Sequence, residues 1–263
     1  MSETTPAAAP TRRAPTPARL LVFVYGVAAY LFFFAVFLWF ILFTGGLFLP
    51  KTVDAGAWVS TPLPWLANLT LIALFGVQHS VMARQGFKRR WTRIVPEPAE
   101  RSTYVLVSAI VLALVRALWQ PMPAVVWSVK QPVAYWSLWA LFGLGWAVLL
   151  ASTFMTDHFD LFGLRQVWLH LRGRPYTPVD FEARWLYRHM RHPLYSGFLL
   201  AFWATPQMSA GHLILALGMT GYILAGTRFE ERDLHAFFGE RYARYAARMP
   251  RYLPRLRPWR PGE

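Results

Sequence analysis

Five apolar runs limit what this chain can fold into: residues 20–49, 64–82, 102–119, 133–155 and 194–227. About 20 mostly apolar residues cross the hydrocarbon core of a bilayer as a helix. In lipid, each backbone N–H and C=O must find its partner inside the protein, so such runs become helices. Charged residues make up only 15% of the chain, against about 25% in soluble domains. That polar surface cannot cover the runs in water. The expected fold is all-α: a polytopic membrane helical bundle. The first run is twice the 7–15 residues of a signal-peptide core, so it reads as a retained helix.

The arginines and lysines orient the bundle. Three lie before the first run, six in 84–101, six in 165–191 and nine in 228–260, leaving only Lys51, Arg116 and Lys130 elsewhere. Basic segments therefore alternate with nearly uncharged ones, the positive-inside pattern. The net charge of +14 thus reports topology and contact with an anionic cytoplasmic leaflet, not nucleic acid. Four spans follow, near 20–48, 64–83, 102–120 and 133–157. The fifth run has 34 residues, too many for one span, and is broken by Thr205-Pro206-Gln207 and Ser209-Ala210-Gly211. A helical hairpin with a short first arm over 194–205 returns the arginine-rich end to the cytoplasm. Both termini are then expected on the cytoplasmic side of the cell inner membrane. Residues 1–18 read as an unstructured tail and 19–263 as one domain. With no cysteine, disulfides, thiol nucleophiles and thiolate metal sites are excluded.

Two polar segments flank the hairpin on its basic side. Residues 158–192 carry Gly163, Gly173, Pro175 and Pro178, which favour loop and short helix. Residues 229–263 interleave Phe229, Leu234, Phe237, Phe238, Tyr242 and Tyr245 with charge, as an interfacial amphipathic helix does.

Chemistry gathers at helix ends. Arg191-His192-Pro193 leads into Leu194-Tyr195-Ser196-Gly197. Proline suits the first turn of a helix, and a helix start beside arginine and histidine donors suits a carboxylate. Gly197 admits the close approach of a ligand or of another backbone. A positive-inside anchor is an equally good reading of this cluster. Glu230-Glu231 is costly beside a membrane unless solvated or paired; it either pairs with Arg188 or Arg191 or holds polar groups of a ligand. Asp157-His158-Phe159-Asp160 ends the fourth span and Gln78-His79-Ser80 the second. The topology puts His79 and His158 on one side, as a base, a metal-binding pair or two buried structural histidines. With no cysteine and no close His pair, no dedicated metal site is expected.

The stretch Arg191-His192-Pro193-Leu194-Tyr195-Ser196-Gly197, the hairpin, Glu230-Glu231 and Gly239-Glu240-Arg241-Tyr242-Ala243-Arg244-Tyr245 resemble integral membrane methyltransferases of the isoprenylcysteine carboxyl and phospholipid methyltransferase type. From residue 76 onward the chain is similar to the bacterial methanethiol S-methyltransferases. Gln78 to Arg84, Pro98 to Tyr104, His158 to Gln166 and Leu171 to Pro178 carry that likeness. The resemblance implies transfer of a methyl group from S-adenosyl-L-methionine to methanethiol, giving dimethyl sulfide. It implies a cofactor half near 157–255, built from the cytoplasmic loop and the C-terminal amphipathic helix. His192, Pro193, Tyr195, Gly197, Glu230 and Glu231 would bind the cofactor, with Tyr187, Arg191 and Gln166 beside it. His79, Asp157, His158 and Asp160 would serve the thiol, in a small apolar pocket near Phe159, Phe162 and Trp203. A lipid or prenylcysteine acceptor, and a non-enzymatic transporter or scaffold, are the alternatives.

Overall fold

The computed structural model describes residues 16–56 and 63–260. Residues 1–15 of the expected tail lie outside the described residues, and Pro17 already opens the first helix. In chain order the elements are α1 (Pro17–Gly45), α2 (Pro64–Ala83), α3 (Gln85–Trp91), α4 (Glu97–Leu118), β1 (Val125–Ser128) and α5 (Pro132–Thr156). Then follow α6 (His158–Leu161), α7 (Leu164–Leu171), a 3-10 turn (Trp185–Arg188), α8 (Pro193–Trp203), β2 (Gln207–Ser209), α9 (Ala210–Phe238) and α10 (Glu240–Arg248).

Proline occupies the first or second position of α1, α2, α4, α5 and α8. There its missing N–H removes a donor that has no partner within the helix. α1, α2, α4, α5 and α9 are long and apolar enough to cross a membrane. With α8 they form the expected polytopic helical bundle of four spans plus a hairpin.

The hairpin has unequal arms. α8 has 11 residues, about 16 Å at 1.5 Å per residue, and the chain continues in extended form to β2. Non-helical backbone at this depth must be paired, and β2 pairs antiparallel with β1 in a two-stranded sheet that the sequence reading did not anticipate. At this end the Asn68 amide donates to the Gln120 carbonyl (2.8 Å) and accepts from the Gln120 N–H (2.8 Å).

Helices do not associate in lipid to escape water; close packing and polar contacts hold them. α8 lies on α5 at a glycine crossing. A methyl group at Gly197 would sit 2.6 Å from the Gly145 carbonyl oxygen, and one at Gly145 2.6 Å from the Ala201 nitrogen. Of the two partners open to Gly197, the backbone of α5 takes the place, so its role is packing rather than ligand contact. Below this crossing, Phe37, Phe40, Phe142, Phe198 and Phe202 surround Trp146 at centroid distances of 5.6–6.3 Å. Edge-to-face arrangement of these rings fixes the core that carries the helix ends.

Candidate active site at one membrane face

Successive residues on an α-helix diverge by about 100°, so Glu230 and Glu231 on α9 face different surroundings. Glu231 is 6% exposed. Its Oε1 accepts from His192 Nε2 (2.9 Å) and pairs with Arg191 (3.0 Å). Its Oε2 takes a two-pronged contact from Arg251, at 2.8 Å from Nη2 and 3.1 Å from Nε. Both oxygens are occupied. His192 is itself buried and capped by this bond. Glu231 and His192, expected as cofactor ligands, are bonded to each other in an internal lock, because a buried carboxylate beside a membrane needs paired cations.

The lock is completed by the chain's last described segment. Arg191 N–H donates to the Pro250 carbonyl and His192 N–H to the Arg251 carbonyl, both at 2.9 Å. Arg255 N–H reaches the His189 carbonyl at 2.9 Å and Trp259 N–H the Arg188 carbonyl at 2.7 Å. Ser196 Oγ donates to the Tyr252 carbonyl (2.6 Å), and the Tyr252 hydroxyl meets Thr227 Oγ1 (2.9 Å). The Tyr245 hydroxyl reaches the Tyr187 and Met190 carbonyls. Arg251 and Tyr252 were not singled out in the sequence, and no local pattern marks them. Pro193 is buried at the head of α8 and shapes its start.

Glu230 is the available carboxylate. It is exposed, and the Tyr195 hydroxyl donates to its Oε2 at 2.7 Å. It also acts electrostatically on Tyr104, Tyr187 and Tyr222. Burial, reinforced by Glu230, pushes the Tyr187 hydroxyl well above its ordinary value, so it remains a hydrogen-bond donor. Arg191 keeps a buried Nε without a partner, as does the Gln166 side-chain oxygen. An open cleft of about 730 Å³ lies at the 3-10 turn nearby, lined by Met155, Trp185, Leu186, Arg188, His189 and Pro258 among others; Glu230, Tyr187, Tyr195 and Arg191 are not in its lining. That volume is in the range of small-molecule sites. The exposed Glu230 carboxylate suits a ligand with amine or hydroxyl groups.

The other candidates are not brought together. His79 Nε2 meets the Tyr104 hydroxyl at 2.7 Å and Nδ1 meets Ser108 Oγ at 3.1 Å. Its ring stacks on Phe75 and stands edge-on to Tyr222. His158 lies elsewhere, with Nε2 at the Tyr30 hydroxyl (2.8 Å) and Nδ1 at Thr153 Oγ1 (2.7 Å), stacked on Phe154 at 4.1 Å. Phe33 and Phe162, stacked at 4.5 Å, pack against the Met82–Tyr104 cluster, and Phe162 contacts His158 on its other side. These aromatics stand between the two histidines. Of the readings open to His79 and His158, the structure fits two separate hydrogen-bonded histidines and not a metal-binding pair. Asp157 caps α6 by accepting from the Asp160 N–H (3.0 Å), at a φ of 124°. Asp160 is held by Arg165 (2.9 Å) and Tyr176 (3.2 Å), and Gln166 Nε2 donates to the Asp160 carbonyl (3.1 Å). This group ties down the loop. No cluster of three or more metal-ligating side chains occurs among the described residues. Phe159 is exposed and Trp203 lies at the far end of α8, so the expected Phe159–Phe162–Trp203 pocket does not form.

Fold and site together define a multi-pass helical membrane protein with a polar, tyrosine-rich site at one membrane face. A family model described as NnrU protein matches residues 68–257. A methanethiol S-methyltransferase of Mycobacterium tuberculosis is 53% identical over 90% of this chain and 97% of that protein. Methanethiol S-methyltransferase 1 of Bradyrhizobium diazoefficiens is 48% identical over 90% of this chain and 83% of that protein. Human Nurim is 32% identical over 67% of this chain and 69% of that protein. No solved structure matches. The chain belongs to the NnrU protein family.

Proposed function

We propose that this protein methylates methanethiol on sulfur with S-adenosyl-L-methionine as donor, releasing dimethyl sulfide. The identity of 43–53% over about nine-tenths of the chain to several methanethiol S-methyltransferases carries the reading. The arrangement around Glu230 supports it. Glu230 and the Tyr187 and Tyr195 hydroxyls would hold the amine and ribose hydroxyls of the donor. Bound there, the donor supplies an activated methyl on a sulfonium, so the protein's tasks are alignment, dryness and removal of the thiol proton.

His79 and Tyr104 perform the last task. Tyr104 passes its hydroxyl proton to His79 Nε2 as it takes the proton of the incoming thiol. Ser108 holds the opposite ring nitrogen and fixes the tautomer. The sulfur, left with a free electron pair, attacks the methyl. His158, Asp157 and Asp160 hold the loop beside this chemistry and take no part in it. Topology belongs to the same proposal: the site faces the cytoplasm of the inner membrane, with both termini there. Its support is the basic segments, which flank the face where α2 and α5 end and α8 begins. A headspace assay for dimethyl sulfide with purified protein tests the function. Donor consumed without dimethyl sulfide in the presence of methanethiol sinks this acceptor assignment.

A further inference from the structure

A second opening lies in the wall of the bundle. A groove of about 600 Å³ runs between α2 and α9, lined by Leu69, Ile72, Ala73, Gly76, Val77 and Tyr222, with Ser80, Val81 and Gly218 completing it. Apart from Ser80 and Tyr222 its lining is apolar. Glycines let α2 and α9 close on each other along its floor. A methyl at Gly218 would come within 2.8 Å of Ile72, and one at Gly76 would meet the Tyr222 ring at 3.0 Å. Ala73 and Val77 are exposed along it, on spans that face lipid. The lining residues on α2 run from 69 to 81, about 18 Å of helix at 1.5 Å per residue. The groove therefore reaches from well inside the hydrocarbon region to the end of α2.

Its upper end borders the site. Tyr222 stands edge-on to His79 with ring centroids 6.3 Å apart, and to Phe75 at 6.0 Å. Tyr222 thus lines the groove and also stands against the histidine that touches Tyr104. Among the described residues that line the groove, Tyr222 is the one aromatic ring set against His79. The Tyr222 ring is therefore the side chain that stands where the groove meets His79.

We propose that the α2–α9 groove is the entry site for the acceptor, which it receives from the bilayer as a small neutral thiol, and that Tyr222 is the size-selecting wall between groove and His79. The inference rests on the proposed thiol methylation. It explains how a site without a polar handle for its acceptor can fill: a neutral thiol partitions into hydrocarbon, and the groove delivers it from there past Tyr222 to His79 and Tyr104.

The test uses the full chain in lipid nanodiscs, with methanethiol and donor varied separately. Wild-type protein that makes no dimethyl sulfide removes the underlying function before the route is tested. Given activity, Ala73→Phe fills the groove from the lipid side, where bulk does not disturb the core. It should raise KM for methanethiol on the order of tenfold, the scale of a steric change in an apolar pocket, with KM for the donor unchanged. Leu74→Phe, equally exposed on α2 but outside the groove, should leave both constants as they were. Tyr222→Ala should raise kcat/KM for benzenethiol relative to methanethiol by a similar factor. An unchanged methanethiol KM in Ala73→Phe, or a Tyr222→Ala protein with unaltered thiol preference, overturns the proposal. So does wild-type protein that prefers long-chain alkyl thiols, since the groove would then seat a lipid-like acceptor.

Discussion

Two adjacent carboxylates on one helix should behave oppositely when neutralised. Glu231→Gln keeps shape and removes the charge that Arg191, His192 and Arg251 share. Stranding a buried charge costs about 3–5 kcal/mol. Arg191 is only 13% exposed and bears this cost, whereas Arg251, 45% exposed, can turn to water and contributes under about 1 kcal/mol. Glutamine retains one hydrogen bond, so the net loss should be about 3 kcal/mol. A chain of this size shifts its melting midpoint by about 2–4 °C per kcal/mol, giving a drop of roughly 6–12 °C. Glu230→Gln removes an exposed carboxylate bonded only to Tyr195. It should melt within a degree or two of wild type yet lose about 1.5–3 kcal/mol of donor binding, ten- to a hundred-fold. Scanning fluorimetry and titration calorimetry on both variants read the two quantities. A Glu231→Gln protein that melts like wild type, or a Glu230→Gln protein with unchanged donor affinity, refutes the division of roles.

His79→Ala should lower turnover by about 10²–10⁴-fold with donor affinity retained, and the deficit should shrink at high pH as free thiolate rises, as pH-rate profiles with calorimetry will show. His158→Ala should instead lower thermal stability and leave turnover per folded molecule near normal, measured by melting and by activity normalised to folded protein. Burial lowers the His158 pKa, partly offset by Asp157, while the unfolded chain titrates near 6.5. The unfolded state therefore takes up the proton first: this residue's contribution to stability is full above about 6.5, fades as pH falls below it, and should be missing from the pH–melting profile of the variant. Gly197→Val should abolish the monodisperse folded species in size-exclusion chromatography, because the α5 backbone has no room to retreat.

What could be read in the residues follows from how local each signal is. Apolar run length matches a bilayer whatever surrounds it, so α2 and α5 begin and end within a residue of expectation. Thr205-Pro206 marked the hairpin for the same reason: a proline and a short apolar arm are visible one residue at a time. The site is different. Glu231 meets Arg251 across 20 residues and His192 across 39, and nothing in either neighbourhood states that the tail folds back. His79 and His158 share a membrane face, which topology predicts, but Phe33 and Phe162 separate them, and lateral position within a face has no sequence signal. Gly197 shows the same limit. Its motif marks a close approach, and only the crossing with Gly145 tells which partner approaches.

These placements argue for a site built by subtraction. Of the ionisable groups gathered at this face, Glu231, His192, Asp157, Asp160 and Arg165 are consumed by one another or by backbone. Each such pairing is what allows charge to persist beside lipid. The proposed reaction draws on two groups among the rest: the exposed Glu230 carboxylate and the His79–Tyr104 pair at the head of an apolar groove. A donor rich in polar groups and an acceptor with none need different surroundings: in the proposed reaction Glu230 is on the donor's side and the His79–Tyr104 pair on the acceptor's. In the proposed reaction, methyl and sulfur meet where those sides join. The locked charges would then hold the junction still, and apolar walls would keep water, the competing nucleophile, away from the sulfonium.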